Sequence, residues 1–235
     1  MKNQYFGDIN DYRKYGLLRL LSGHGEISTA ICWMLTPDDD RTDGSLIEYL
    51  HQPETWRSFD PELFDHLQDL VVERGLRDVH LAESAGMLPA CRFYPELLPD
   101  DADGRGRYFE RFFPLTEGCY LIFFDPDNGI EVKSKPYGRK GSSKYVYWQE
   151  LTTSFSRGRS LLIYQHFPRV PRDQFVPSKA REVAEKTGAR EVYSFRTARV
   201  VFFLVPQDRH REYLRERSHR VEEVWASQIE VGCHQ

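Results

Sequence analysis

The residues best suited to chemistry follow an apolar run in the middle of the chain. Cys119–Phe124 is apolar and aromatic without polar alternation, and it leads directly into AspProAspAsnGly at 125–129. A continuous apolar run bounded by turn residues is typical of a strand buried on both faces. Ligands of open α/β sheets bind beyond the carboxyl ends of the strands. This position predicts a catalytic site formed by Asp125, Pro126, Asp127 and Asn128, although the same residue types also suit a plain turn.

Two further observations extend the chemistry open to this site. Asp125, Asp127 and Asn128 offer oxygen ligands to a hard cation such as magnesium, which would suit metal-assisted phosphodiester hydrolysis. His166 ends the next predicted strand and therefore borders the same region. Its imidazole can act as a base near neutral pH, although a single histidine beside Phe167 also suits a structural role.

The surrounding patterns predict the elements that position this site. An amphipathic helix over Asp8–Ser22 precedes an alternation of strands and helices, which favours a parallel sheet covered by helices on both faces. The fold class is therefore α/β, a mostly parallel Rossmann-like sheet of the class I methyltransferase layout with an antiparallel terminal strand pair. The predicted strands include Ile27–Leu35, Asp78–Glu83, Ser160–Gln165, Arg190–Phe195 and Arg199–Val205, and Pro89–Arg107 is predicted as a loop.

Composition limits the class of protein. The 235 residues suit a single domain over residues 1–235, and the net charge of −4 argues against coating nucleic acid through bulk charge. The four cysteines are widely spaced, which is typical of reduced cysteines in a cytosolic protein. No apolar run approaches the length of a membrane span. We therefore expect a cytoplasmic protein without a membrane partner.

Positive charge is concentrated in one segment after the proposed site. Lys133 and Lys135 lead into the stretch Gly138–Lys144, which contains Arg139, Lys140 and Lys144. Such a segment can hold a phosphate backbone while a neighbouring pocket takes a base. It predicts a nucleic-acid substrate, RNA or DNA, although an ordinary surface loop has the same composition.

The amino-terminal stretch PheGlyAspIleAsnAspTyrArgLysTyrGly carries Gly7, Asp11 and Lys14 in a characteristic array. With the acid Glu83, the pair Asp103-Gly104 and the AspPro at the end of the central run, this order resembles the bacterial ribosomal large-subunit RNA adenine-N6 methyltransferase J family. The resemblance covers roughly the first 170 residues, by pattern more than by identity.

The resemblance implies roles for individual residues. Asp125 would accept a hydrogen bond from an adenine amine and offset the positive charge that develops on it. S-adenosylmethionine would be the cofactor, bound by Lys14, Glu83 and Asp103. The predicted substrate contacts come from the sequence positions themselves: Tyr12 beside Lys14 on the first helix, Arg139, Lys140 and Lys144 of the basic segment, and His166 at a strand end.

Two segments depart from the family pattern. The family has a glycine-rich loop after its first strand, whereas residues 36–44 here read ThrProAspAspAspArgThrAspGly. The family motif AspProProTyr is replaced by Asp125-Pro126-Asp127-Asn128, which lacks the stacking ring. Transfer of a methyl group to an adenine amine of nucleic acid is the leading hypothesis. The alternative is a derived fold without S-adenosylmethionine, acting as a metal-dependent phosphodiesterase or nuclease or as a non-catalytic nucleic-acid-binding module.

Overall fold

The computed structural model describes residues 1–38 and 44–235, and within them eight α-helices and nine β-strands. The helices are α1 (Ile9–Leu21), α2 (Pro53–Trp56), α3 (Pro61–Leu67), α4 (His80–Ser84), α5 (Ala102–Leu115), α6 (Trp148–Ser156), α7 (Arg172–Thr187) and α8 (Arg211–Trp225). The strands are β1 (Thr29–Cys32), β2 (Cys91–Tyr94), β3 (Leu121–Phe124), β4 (Gly129–Ile130), β5 (Tyr145–Val146), β6 (Ser160–His166), β7 (Val192–Arg196), β8 (Val200–Val205) and β9 (Glu230–His234).

Seven strands form one sheet in the order β2-β1-β3-β6-β8-β7-β9, and β4 pairs separately with β5. The first four strands of that order are parallel. Strand β8 is antiparallel to β6 and to β7, and β9 is antiparallel to β7. The prediction of a mostly parallel Rossmann-like sheet is confirmed, and so is the antiparallel pair β7 and β8. Strand β9 was not predicted.

Helices cover both faces of the sheet because the central strands are apolar on both sides. Phe123 packs into one core cluster with residues of α1, α3 and α8, including Tyr12 and Trp225. Its neighbour Phe124 packs into the other cluster, with residues of α5, α6 and α7 such as Phe112. Every residue of β3 is buried, as the uninterrupted apolar run predicts.

The topology creates a crevice beside the carboxyl end of β3. Strand β2 pairs with one side of β1, and β3, the next strand along the chain, pairs with the other side of β1. Such a reversal of strand order is where open α/β sheets bind ligands. Phe124 is the last residue of β3, so Asp125 lies at this edge.

Two of the predicted elements are wrong. The segment 78–83, predicted as a strand, contains the start of α4, and the Asp78 carboxylate accepts a hydrogen bond from the His80 amide at 2.9 Å. Such local bonding of an aspartate favours a helix start over a strand. The edge strand is instead β2, inside the segment 89–107 that was predicted as a loop.

All four cysteines of the chain are free. Within the described ranges, no helix has both the length and the apolar character needed to cross a bilayer.

Candidate functional site

A cavity of about 390 Å³ lies beyond the carboxyl ends of β3 and β6. Asp125 and Asn128 line it from the loop after β3, and Tyr164 and His166 line it from β6. Helix α1 and the start of β8 complete part of the wall with Asn10, Asp11, Lys14, Arg199 and Val200. This volume lies within the range of small-molecule sites. The strand end singled out from the sequence therefore faces a cavity of ligand size.

Helix α1 brings an aspartate and a lysine to the end of β3. Its start is fixed by Asp8, whose carboxylate accepts a hydrogen bond from the Asn10 amide at 2.8 Å. Asp11 and Lys14 are three residues apart and therefore share one face of the helix. The Lys14 Nζ atom lies 2.8 Å from Asp11 Oδ1 and 2.7 Å from Asp125 Oδ2. We call these three residues the Lys14 cluster.

The Lys14 cluster is buried and carries unequal charge. Asp11, Lys14 and Asp125 are each at most 3% exposed. Burial disfavours the charged form of Lys14, but the two carboxylates outweigh it and raise the pKa of Lys14. Burial also raises the pKa of Asp11 to about 6, although Lys14 opposes this rise. The cluster therefore places two carboxylates against one ammonium.

The crevice between β1 and β3 is covered by the first residue of the chain. The amino group of Met1 lies 2.8 Å from Asp127 Oδ1 and donates to the carbonyl of Asp125 at 3.0 Å. Thr36 donates from its hydroxyl to Asp127 Oδ2 at 2.8 Å and from its amide to the Met1 carbonyl at 3.0 Å. Burial raises the pKa of Asp127, but the amino group and Thr36 outweigh it and lower the pKa. Asp127 thus binds both Met1 and Thr36, the two residues that cover the crevice.

The rim of the cavity is held by backbone contacts of Asn128. Its amide donates to the Lys144 carbonyl at 2.9 Å, and its carbonyl accepts from the His166 amide at 3.1 Å. The next residue, Gly129, has a φ of 120°, and a Cβ there would lie 2.5 Å from the Gln165 amide group. Glycine is favoured at this turn because other residues rarely adopt this φ, and a side chain would also displace the Gln165 amide. The turn therefore places Lys144 and His166 on the cavity rim.

Five predicted site residues do not line this cavity, and three of them, Glu83, Asp103 and Tyr12, lie on helices. Glu83 is in α4, where its carboxylate accepts from Trp33 Nε1 at 2.9 Å. Asp103 is an exposed residue in the first turn of α5, not in a loop before a helix. Tyr12 is fully buried in the core, where its hydroxyl donates to the Trp56 carbonyl at 2.8 Å. The structure does not bring them together with Asp125.

The basic segment, residues 133–144, lies partly on the rim of the cavity and partly on the exposed surface. Asp100 accepts hydrogen bonds from the Gly141 amide at 2.7 Å and from the Ser143 amide at 2.8 Å. These contacts anchor the segment on the side of α5. Lys144 lines the cavity, whereas Arg139 and Lys140 are exposed and do not line it.

Several residues of the cavity wall were not predicted from the sequence, among them Asn10, Tyr164 and Arg199. Tyr164 lies two positions before His166 on β6, so the alternation of a strand places both on one face. Arg199 lies near His166 because β8 pairs with β6 and the following residue, Val200, is opposite His166. The strand alternation could have identified Tyr164. Arg199 had no such signal, because its place depends on the order of the strands.

The described residues do not fit S-adenosylmethionine in the place that the resemblance implies. Glu83 and Asp103 do not line the cavity, and Met1, only 3% exposed, covers the crevice between β1 and β3. Within the loop that replaces the family's glycine-rich loop, residues 39–43 lie outside the described residues. Only Lys14, of the three predicted cofactor contacts, lines the cavity.

Magnesium binding stays a prediction. The residues at 1–38 and 44–235 contain no group of three or more His, Cys, Asp or Glu side chains that could hold a metal ion. The two carboxylates considered as ligands have other partners, Lys14 for Asp125 and Thr36 for Asp127.

No family model matches this chain, and no curated protein matches it. Among solved structures, it is similar to protein LPL1258 from Legionella pneumophila str. Philadelphia 1, whose crystal structure is described with the family model DUF519. The two chains are 12% identical over 98% of each, with a TM-score of 0.45. A likeness this distant carries no argument about function.

Proposed function

We propose that this protein is a methyltransferase-like protein that acts on nucleic acid and takes one base into the cavity beside Asp125. The group bound there is an exocyclic amine, most specifically that of adenine. The observation that carries the proposal is the buried Asp125 carboxylate, which faces a cavity of about 390 Å³ with cationic residues on its rim.

The Lys14 cluster supports a role for Asp125 as an amine acceptor. Lys14 holds Asp125 Oδ2 at 2.7 Å and so fixes the orientation of the carboxylate. The second oxygen, Oδ1, receives no hydrogen bond from residues 1–38 or 44–235. An amine that donates to Oδ1 gains electron density, and any positive charge that develops on its nitrogen is stabilised by the carboxylate.

The rim supports a nucleic-acid ligand over an uncharged small molecule. Lys144, His166 and Arg199 surround the mouth of the cavity, while Asp11 and Asp125 lie in its wall. A nucleotide unit has matching parts, since its phosphate is anionic and the amine of its base is a hydrogen-bond donor. A base in this cavity must leave the stack, as in other proteins that act on single bases.

A second candidate function is nucleic-acid binding without S-adenosylmethionine. The cover formed by Met1 and the bond between Thr36 and Asp127 favour it, because both occupy the crevice that the cofactor would need. The two candidates share the base-binding cavity. They differ in whether a methyl group is transferred.

Radiolabelled S-adenosylmethionine distinguishes the two candidates when it is incubated with the protein and separate pools of RNA and DNA. Transfer to nucleic acid that is lost in D125A supports the methyltransferase reading. D69A is the matched control, because it removes an exposed aspartate outside the cavity, and it should behave as the native protein does.

Calorimetric titrations complete the test. Binding of an adenine-containing strand without binding of S-adenosylmethionine or transfer of methyl supports the second candidate. Failure of the native protein to bind either RNA or DNA contradicts both.

A further inference from the structure

A second, open groove of about 980 Å³ adjoins the cavity. It lies between the loop from β6 to α7 and the turn from β7 to β8. We call it the basic groove, because its polar side chains are His166, Arg169, Arg172 and Arg199. His166 and Arg199 also line the cavity beside Asp125, so the two spaces are continuous.

The arginines of the basic groove are exposed. Neither Arg169, Arg172 nor Arg199 forms an ion pair with a carboxylate of the described residues. Asp173 is the nearest acid in sequence, and its carboxylate is 2.5 Å from Arg196 Nη1. Three exposed guanidinium groups that line one groove of an acidic chain attract a polyanion locally.

The backbone presents these arginines in a defined arrangement. The loop after His166 reads PheProArgValPro at 167–171, and its prolines restrict the chain. The guanidinium of Arg172 lies over the ring of Phe167 at 5.0 Å. Arg199 lies in a tight turn, in which its amide donates to the Thr197 hydroxyl at 3.2 Å. A restricted backbone at these positions reduces the conformational entropy that is lost when the arginines bind phosphate.

We infer that the basic groove holds the phosphates of a single-stranded nucleic acid whose base enters the cavity beside Asp125; this inference rests on the proposed function. The charges along the path change sign, from arginines in the groove to Asp11 and Asp125 in the cavity. A peptide with carboxylates along the whole path would meet the arginines but would be repelled by Asp11 and Asp125 in the cavity. A nucleotide instead places phosphate on the arginines and an amine on the aspartates.

The phosphate contacts then lie in the basic groove and not in the basic segment around Arg139 and Lys140. Arg139 and Lys140 are exposed, and Asp100 anchors their segment by bonds to Gly141 and Ser143. Neither of these two cations lines the cavity or the basic groove. They therefore serve as a matched control, with the same number of exposed positive charges at another place.

The test compares R169A/R172A with R139A/K140A. A fluorescein-labelled pyrimidine strand with a single adenine, made as RNA and as DNA, is titrated by anisotropy at several salt concentrations. Loss of two phosphate contacts should weaken binding about 10-fold or more and reduce the salt slope by about 1.4, since each single-strand contact contributes about 0.7. R139A/K140A should bind within about twofold of the native protein.

A conservative variant separates charge from packing. R169K/R172K keeps both charges and should retain most of the affinity, and thermal unfolding checks that R172A leaves the contact region of Phe167 folded. Native-like binding by R169A/R172A, or an equal loss in both double alanine variants, overturns the inference.

The inference can fail while the proposed function stands. That outcome is adenine-dependent binding by the native protein that D125A abolishes and R169A/R172A leaves unchanged. Absence of any binding by the native protein overturns both.

Discussion

The protein buries charge in two places, and the two arrangements differ. Arg105 is 0% exposed and contacts Glu150 through two bonds, from Nε to Oε1 at 2.5 Å and from Nη2 to Oε2 at 2.9 Å. The same guanidinium also donates to the carbonyls of Ser142 and Tyr145, at 3.0 Å and 2.6 Å. Its charge is balanced one to one, and its cation lies 4.7 Å from the centre of the Tyr147 ring.

The Lys14 cluster is neither balanced nor closed. Its single ammonium has two carboxylate partners, and all three residues line a cavity. A balanced and fully bonded pair holds segments together, here α5, α6 and the basic segment. A buried cluster with excess charge beside a cavity is a better candidate for function. Burial alone therefore does not distinguish a charged group that holds segments together from one that acts on a ligand.

The largest expected effect comes from breaking the balanced pair. R105M leaves the Glu150 carboxylate buried without a cation, which should lower the free energy of unfolding by about 3 to 5 kcal/mol. Urea denaturation measures this change. R111A is the control, because the pair of Arg111 with Glu96 is exposed and its loss should change the free energy of unfolding far less than the loss of the buried pair. A loss in R105M as small as that of the control would remove the distinction.

The next effect concerns pH and the excess charge of the Lys14 cluster. The folded pKa of Asp11 is about 6, above its ordinary value of 3.8, so the folded state binds the proton more tightly. The contribution of protonated Asp11 to the free energy of unfolding is present below about pH 4 and is lost as the pH rises through about 6. The loss is at most about 3 kcal/mol for a rise of this size.

The variant D11N isolates this contribution. Denaturation at pH 4 and at pH 7 should show the native protein losing stability relative to D11N as the pH rises. A constant difference between the two proteins would show that Asp11 does not titrate in this window.

The smallest expected effects come from replacing one carboxylate by its neutral amide in the Arg105–Glu150 pair and in the Lys14 cluster. E150Q removes the carboxylate partner of Arg105 and should cost about 2 kcal/mol, whereas D125N leaves Lys14 with Asp11 and should cost less than about 1 kcal/mol. Urea denaturation at pH 7 compares them. Equal losses would mean that the second carboxylate of the Lys14 cluster is structural.

The central strand and the first helix could be predicted from the sequence because their signals are local. The apolar run that became β3 is long enough to indicate burial on both faces, and Asp125 follows directly at its end. The spacing of Asp11 and Lys14 places both on one face of α1. These positions needed no knowledge of the other strands.

The rest of the site depends on contacts between distant segments. Glu83 was assigned to a strand end, but the edge strand is β2, which has only four residues and a partly exposed pattern. Arg199 joins the cavity through the pairing of β8 with β6. Met1 reaches Asp127 across the whole amino-terminal half of the chain. Neither periodicity nor composition indicates such contacts.

The most direct test of the account measures whether Asp125 recognises an amine. Two labelled strands, identical except that one carries adenine and the other carries purine without the amine, are titrated with the native protein and with D125A. The native protein should bind the adenine strand about 10-fold more tightly, as expected for a hydrogen bond to a charged acceptor, and D125A should bind both strands equally. An adenine preference that survives in D125A, or a native protein without any preference, would contradict the assignment of Asp125.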